Sequence, residues 1–327
     1  MTRSTEWTEA DSLIASALQV NGRASWGMIG RALDLPERTV ARRGQALLDC
    51  GAVKVSTYLD TTRVGPASPL LVHLKTRPGY GVAAAHVLAE HPDASSVSVL
   101  EAADEVASML IPRSLEARQS LLLDELPAIE GLVSSEVSTV LHYFRTGYDW
   151  YSGSLPAAAV AFLRAGMPTP PSTPVRGVID LSQDDEELIE LLAKEGRATT
   201  VALAAQLGAS APTVRKRLEA LFAAGIIHVR TEAKPALHGL RVEALTWLRV
   251  PADEIEQTGN ALSKLESVRF CVASTGQSQL LVDCLVADEQ ELYTFLTRDV
   301  GISPATQIVR TSVVLMAVRR GPMIILG

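Results

Sequence analysis

The chain repeats itself at a distance of 174 residues. Gly22-Arg23-Ala24 recurs as Gly196-Arg197-Ala198. Held at that offset without gaps, residues 11–55 lie over 185–229, and thirteen of the 45 positions are identical, among them Asp11/Asp185, Leu18/Leu192, Thr39/Thr213, Arg43/Arg217 and Gly51/Gly225. Chance in a chain of this composition gives roughly three or four. The same offset joins Gly65 to Gly239 and Leu74 to Leu248. Solenoids repeat every 20–50 residues or so, and a period of half the chain is too long for one. The pattern implies two successive copies of a two-part protein. Between them lies Gly166–Pro174, whose four prolines fix φ and forbid helix, so a semi-rigid extended linker is expected. Leu155–Ala165, just before it, reads as a short helix closing the first copy.

A length of 327 residues exceeds the usual domain of roughly 100–150 residues, as two copies require. With 47% hydrophobic and 20% charged residues the chain can bury real cores, which excludes wholesale disorder. No apolar run reaches the roughly 18–20 residues of a membrane span. Met1–Asp11 carries Glu6, Glu9 and Asp11 and has no apolar segment, so no signal peptide is expected. The three cysteines, Cys50, Cys271 and Cys284, are too scattered for a disulfide framework or a metal knuckle. A reducing, cytoplasmic setting is the expectation. The net charge of −7 argues against a broad nucleic-acid coat but leaves room for a local basic surface.

The first part of each copy reads as three short helices. In the second copy Leu188, Leu191 and Leu192 form the apolar face of helix one, and Gly196 ends it. Thr199 caps helix two, Gly208 makes a tight turn, and Ser210 caps helix three with Pro212 in its first turn. That helix ends at Gly225, and Ile226–Val229 begins a wing. The first copy reads as helix one at Leu13–Val20, Ser25 as cap, helix two to Leu33, a turn at Asp34, helix three from Pro36 to Cys50, and strand Ala52–Ser56. This is a helix-turn-helix, in which the second helix of the motif packs one face inward and offers its N-terminal half to a DNA major groove. The exposed side offers Arg38, Thr39, Arg42 and Arg43 in the first copy, and Thr213, Arg215, Lys216 and Arg217 beside the cap Ser210 in the second. Arginine can meet guanine or a phosphate with two donors, and threonine a thymine methyl or a phosphate. A charge run is usually a solvated face; two at equivalent positions argue for more. Arg43 and Arg217 have an alternative role, a salt bridge inside their own three-helix unit. Gly44 costs recognition helix one roughly 1 kcal/mol against alanine, which predicts the weaker reader.

The second part alternates strands and helices in the order βαββαβ. In the second copy the segments are Arg241–Val250, Asp253–Leu265, Val268–Ser274, Leu280–Val286, Asp288–Val300 and Gln307–Val318. In the first they are Leu70–Lys75, Val82–Glu90, Ser96–Leu100, Val106–Ile111, Leu115–Leu126 and Val133–Phe144. Two helices cover one face of such a sheet. The other is open, with Val313, Leu315, Leu281 and Val282 expected on it, and its natural partner is the other copy. The expected fold is therefore α+β: a winged helix-turn-helix at 8–56, a ferredoxin-like domain at 66–146, a linker at 147–180, a second winged helix-turn-helix at 181–230 and a second ferredoxin-like domain at 240–320.

The run Asp185, Leu188, Glu195-Gly-Arg-Ala198, Leu203-Ala-Ala-x-Leu-Gly208, Thr213-Val214, Arg217, Gly225-Ile-Ile227 and then Gly239 before the βαββαβ unit resembles the Lrp/AsnC (feast/famine) transcription regulators. The resemblance covers each copy nearly end to end. It implies a sequence-specific regulator that binds double-stranded operator DNA, dimerises through its effector-domain sheets and responds to a small molecule such as an amino acid, without a cofactor. By the same resemblance Arg43 and Arg217 match the family's near-constant recognition-helix arginine. Family members usually carry one copy, so two imply a pseudo-dimer within one chain, and a homo-oligomer of such chains. The family's effector loop has Gly-x-x-Asp. This chain has Gly276-Gln-Ser-Gln279 in the second copy and Ala102-Ala-Asp-Glu105 in the first, which puts a standard amino-acid ligand in doubt. Ser274, Thr275, Gly276, Gln277 and Gln279 are the candidate effector contacts, against the plainer reading of a polar hairpin loop.

Two alternatives compete. Duplicated proteins of this architecture also exist as sirohaem decarboxylases, which need a pocket rich in His, Tyr and Arg. Val268–Gly276 carries one arginine and no His or Tyr, and Ser95–Ala103 none of the three. The six histidines show no metal-ligand spacing, and no Walker loop, GxSxG, HExxH or GxGxxG is present. No enzymatic activity is expected. The other alternative is an assembly protein of the same fold that has lost DNA binding, favoured by the acidic balance.

Overall fold

The computed structural model describes residues 7–60, 68–148, 150–165, 167, 181–301, 305–321 and 323–325. The repeat glycine Gly65 and nearly all of the proline-rich linker fall outside them. In chain order the first copy contains α1 (Glu9–Val20), α2 (Trp26–Leu33), α3 (Glu37–Asp49), β1 (Val53–Leu59), β2 (Leu70–Thr76), α4 (Gly81–Glu90), β3 (Ala94–Leu100), β4 (Glu105–Leu110), α5 (Leu115–Ser120) and β5 (Leu132–Arg145). After α6 (Ala157–Arg164) the second copy contains α7 (Gln183–Lys194), α8 (Thr200–Leu207), α9 (Ala211–Ala223), β6 (Ile227–Ala233), β7 (Val242–Arg249), α10 (Ile255–Leu262), β8 (Val268–Ser274), β9 (Leu280–Val286), α11 (Glu289–Thr294) and β10 (Gln307–Arg320), followed by the two-residue β11 (Met323–Ile324). The bounds of α1, α2, α3 and β1 recur in α7, α8, α9 and β6 at the 174-residue offset. Those of β3 and α5 recur in β8 and α11.

The chain folds as two compact units that collect like parts. Among the described residues, one holds 7–60, 148–167 and 181–240, and the other holds 68–147 and 241–325. In the first unit the helix starts follow from local chemistry. Thr8 and Asp11 form a reciprocal capping box, Asp11 N donating to Thr8 Oγ1 and Thr8 N to Asp11 Oδ2. Ser182, the repeat equivalent of Thr8, caps α7 in the same way through Asp185 N. Ile14, Leu18, Ile29, Val40 and Leu47 form the core of the first three-helix set, and Val160 and Leu163 of α6 close it.

The strand after the third helix is not the start of a wing. β1 pairs antiparallel with β6, from Val53 opposite Ala233 to Leu59 opposite Ile227. At the centre Ser56 faces Arg230, its own equivalent in the repeat, so a local two-fold axis passes between them. A strand edge needs partners for its N–H and C=O groups, and here β6, its counterpart at the 174-residue offset, supplies them.

The repeated Gly-Arg-Ala locks this arrangement. Arg23 donates to the carbonyls of Gly196 and Ala198, the latter at 3.0 Å. Arg197 donates to those of Gly22 and Ala24, the latter at 2.9 Å. The glycines let the loops approach the ribbon: a Cβ on Gly22 would lie 2.6 Å from Thr231 Oγ1, and one on Gly196 2.8 Å from the Ser56 backbone. Arg197 also stacks over Trp26, 4.3 Å from the ring centroid.

The second unit closes into a ring. Within each βαββαβ set the strands lie in the ferredoxin-like order, β5-β2-β4-β3 and β10-β7-β9-β8. β5 then pairs with β8 and β10 with β3, so eight strands form a barrel. Helix α4 and the turn Leu121–Glu125 cover Val72, Val97 and Val106 on the outside of one half, and α10 and α11 cover Ala244, Val282 and Cys284 on the other. The alternate residues Leu71, Val272, Leu281, Leu245 and Trp247 cluster inside. The four residues expected on one open face therefore separate. Leu281 points inward, Val282 and Val313 join the helix-side core, and Leu315 is exposed. Neighbouring residues of a strand point to opposite faces, so Leu281 and Val282 could not have shared one.

Two outcomes are expected. Replacing Arg197 with alanine leaves two carbonyls without their charged donor and removes the stack on Trp26, and should cost about 2–4 kcal/mol in urea unfolding. Arg23→Ala should cost somewhat less. The second concerns His238, at the end of the 3₁₀ turn Pro235–His238, whose Nδ1 lies 3.0 Å from Ser12 Oγ. Burial pushes its pKa down to about 4, so the folded state holds the neutral ring while the unfolded chain binds a proton near pH 6.5. Its contribution is complete above about pH 6.5 and is lost as the pH falls towards 4, by up to about 3 kcal/mol. Unfolding titrations at both ends of that range should show the loss, and His238→Phe should flatten it.

Candidate functional site

Helices α2 and α3 form one helix-turn-helix, and α8 and α9 the other. Ser25 Oγ accepts from Met28 N and Thr199 Oγ1 from Ala202 N, each at 3.1 Å, fixing the start of the first helix of each motif. Both turns pass through the left-handed region, at Asp34 (φ 53°) and Gly208 (φ 62°). Aspartate tolerates that conformation better than most residues, so the two turns match without a shared glycine. Ser210 caps α9 through Thr213 N, with Pro212 in the first turn.

Each third helix buries one face. Val40, Gly44 and Leu47 face inward on α3, and Val214, Leu218 and Leu221 on α9. Arg38 and Arg42 stand exposed on α3 with Thr39 half-buried between them; Thr213, Arg215 and Lys216 stand exposed on α9. The Ser210 and Thr213 hydroxyls bond to each other at 2.7 Å. Arg43 and Arg217 occupy different surroundings. Arg43 Nη1 donates to Asp11 Oδ1 and to Thr8 Oγ1, both at 3.0 Å. Arg217 pairs with Asp184 at 2.5 Å. Each ties the third helix to the first helix of its own set. Although burial works to raise the Asp11 pKa, hydrogen bonds from Thr8 and Arg43 hold it below the usual carboxylate range.

The five candidate effector residues gather in the β8–β9 hairpin, and the protein's own groups occupy most of their polar atoms. Thr275 N donates to Thr139 O at 2.9 Å and Thr139 N to Thr275 Oγ1 at 2.8 Å. Ser274 Oγ donates to Ser278 O. Gln279 bridges Gly276 O and Val250 N. Gly276 has φ 98°, and a Cβ there would lie 2.8 Å from Ser138 Oγ. The hairpin is thus stitched to β5 of the other repeat, with the Gln277 side chain exposed.

Reading stretches one at a time missed two groups. The first is the arginine clasp, for which the recurrence of Gly-Arg-Ala was the available signal. The second lies inside the ring. His73 Nε2 lies 3.1 Å from Glu105 Oε2, and Arg310 Nη1 lies 2.6 Å from Nε2 and 2.9 Å from Nδ1, with Trp247 edge-on at 5.7 Å. Burial, with the adjacent Arg310 charge, holds the His73 pKa below its ordinary value. At the other end Arg269 binds both Asp283 and Glu243, and Glu243 also takes Arg320. These residues come from strands far apart in sequence, so no single stretch announces them. No metal-binding cluster of His, Cys, Asp and Glu occurs among the described residues, and no helix there is long and apolar enough to cross a membrane.

Residues 181–221 match the AsnC-type helix-turn-helix domain and residues 243–324 the Lrp/AsnC ligand binding domain. An uncharacterised HTH-type transcriptional regulator of Pyrococcus furiosus is 28% identical over 141 residues, which is 43% of this chain and 95% of that protein. The HTH-type transcriptional regulator LrpA of Pyrococcus horikoshii is 25% identical over 122 residues, 37% of this chain and 86% of that one. Among solved structures, the siroheme decarboxylase NirDL covers 96% of this chain and 93% of its own, with a TM-score of 0.60 and 12% identity. That likeness is one of fold.

Gly44 gives a direct check on the reading helix of the first copy. Propensity alone favours alanine there by roughly 1 kcal/mol. A Cβ would, however, lie 2.4 Å from the Trp26 ring. Gly44→Ala should therefore destabilise the protein by about 1–3 kcal/mol, read by chemical denaturation, and should shift the tryptophan emission.

Proposed function

We infer that a chain carrying an AsnC-type helix-turn-helix and an Lrp/AsnC ligand-binding domain in its second half is a DNA-binding transcriptional regulator whose first half is a diverged copy of the same module. The observation that carries this reading is the pair of third helices, α3 and α9. They stand at equivalent positions about a local two-fold axis and expose Arg38 and Arg42 on one and Arg215 and Lys216 on the other. In the proposal these four side chains, with Thr39, Ser210 and Thr213, meet the duplex. Arg43 and Arg217 act as struts that hold each reading helix. The chain is its own pseudo-dimer and assembles further as a homo-oligomer. A small-molecule effector acts at the Ser274–Gln279 hairpin, where Gln277 is the exposed side chain.

The two reading helices differ, so the operator is an imperfect palindrome with half-sites about one helical turn apart, or a multiple of it. Electrophoretic shift at moderate salt on the protein's own upstream region should show retardation. Arg215→Glu with Lys216→Glu should weaken it at least tenfold and lower the salt slope by about two. Arg38→Glu with Arg42→Glu should weaken a different half-site. Absence of retardation on that region and on every genomic fragment would overturn the reading.

An enzymatic reading has one observation in its favour. The fold of a siroheme decarboxylase spans the chain, and the ring interior holds His73, Arg310, Glu105 and Trp247. Against it, His73 is already held by Glu105 and Arg310. An absorption scan after incubation with sirohaem separates the two: a displaced Soret band abolished by His73→Ala would favour the enzyme.

A further inference from the structure

The two helix-turn-helix motifs differ at one corner. In the first, Gly27 and Gly30 lie one turn apart on α2 and receive the first residue of α3, Glu37. A Cβ on Gly27 would stand 3.0 Å from Glu37 Oε2 and 3.2 Å from its Cδ, and one on Gly30 would stand 3.5 Å from the Glu37 backbone. The carboxylate therefore lies against the first turn of α2, although the residue as a whole is exposed. Asp34, exposed in the turn between the two helices, adds a second acid. At the 174-residue offset Gly27, Gly30, Asp34 and Glu37 become Val201, Ala204, Gly208 and Ala211. Both acids are gone, and the valine in place of Gly27 is 70% exposed. The seat and the carboxylate that fills it have changed together.

The corner matters because of how such a motif meets a duplex. The second helix of the motif enters the groove while the first crosses the DNA backbone, and helix N-termini are among the groups that hold backbone phosphates. The first turn of a helix has N–H groups without intrahelical partners and the positive end of the helix dipole. A carboxylate is stabilised there for the same reason as a phosphate, and one already in place repels the other. In the second motif the corner offers the Ser210 and Thr213 hydroxyls, with Arg215 and Lys216 just beyond, all exposed.

We propose that Glu37 stands in for a backbone phosphate at the first reading helix. The first half-site is then bound with one phosphate contact fewer than the second, and α9 carries most of the affinity for the duplex. Arg38 and Arg42 still reach the DNA from α3, but beside a fixed negative charge. The proposal rests on the DNA-binding reading above and assigns unequal shares to its two halves.

The test uses the full-length chain and a mixed-sequence duplex long enough for two half-sites, because phosphate contacts do not depend on sequence. Binding is titrated at several salt concentrations, and thermal unfolding checks that each variant is folded. Glu37→Gln, which keeps the shape and removes the charge, should bind at least threefold tighter, with a salt slope steeper by about one. Val201→Gly with Ala211→Glu moves the seat and the carboxylate to the second motif and should weaken binding at least fivefold. Unaltered binding by Glu37→Gln would overturn the proposal. So would weaker binding, which would mean that the carboxylate accepts from a base such as cytosine. If the unsubstituted chain binds no duplex, the DNA-binding reading falls and this proposal with it; if it binds and Glu37→Gln changes nothing, this proposal alone falls.

Discussion

Two arginines that reach across a local two-fold axis hold the helical unit together. Arg23 and Arg197 each give their donors to two carbonyls of the opposite Gly-Arg-Ala turn. Bonds from a charged donor are about twice as strong as neutral ones, and these stand where the two loops come closest. The arrangement needs the glycines as much as the arginines, since any Cβ at Gly22 or Gly196 would meet the ribbon. A cation that contributes to this clasp cannot also reach DNA, which is why the repeat's most conspicuous arginines are structural.

The ring follows a similar rule with a different chemistry. Each four-stranded sheet has two free edges, and pairing β5 with β8 and β10 with β3 removes all four. Closure buries polar side chains on the inner face. They survive there because each charge has a counter-charge: Arg269 and Arg320 against Glu243 and Asp283, and Arg310 with His73 against Glu105. Removing one member of such a set leaves another charge buried without its partner. The interior therefore carries two charged sets beside its apolar cluster, each intolerant of single changes.

Much of this was legible in the sequence. The 174-residue offset found helices and strands together, and the caps Ser25, Thr199 and Ser210 and the turns at Asp34 and Gly208 follow from backbone chemistry that acts within a few residues. Strand pairing across the repeat was not legible. β1 looks like the start of a wing because nothing local distinguishes a strand paired with its neighbour from one paired 170 residues away. The His73–Arg310 contact joins β2 to β10 for the same reason. Gly44 was misread as a flaw in a helix because its cause, the Trp26 ring, sits on another element.

Residues identical at the 174-residue offset do not all lie near the axis: Thr39/Thr213 and Arg43/Arg217 are alike on the third helices, and Ser56 and Arg230, opposite each other at the axis, differ. Gly22/Gly196, Arg23/Arg197 and Ala24/Ala198 are identical and lie on it. Away from it, Trp26 and Gly44 stand where the second copy has Thr200 and Leu218, an exchange of bulk between facing helices. Arg38 and Arg42 stand where it has Pro212 and Lys216, and His91 where it has Leu265. In a homodimer every substitution is made twice, and a change useful on one side is imposed on the other. The two halves of a single chain are free of that constraint. The clasp is symmetric because each half completes the other, whereas the charged sets of the ring and the exposed faces of the third helices differ between the halves.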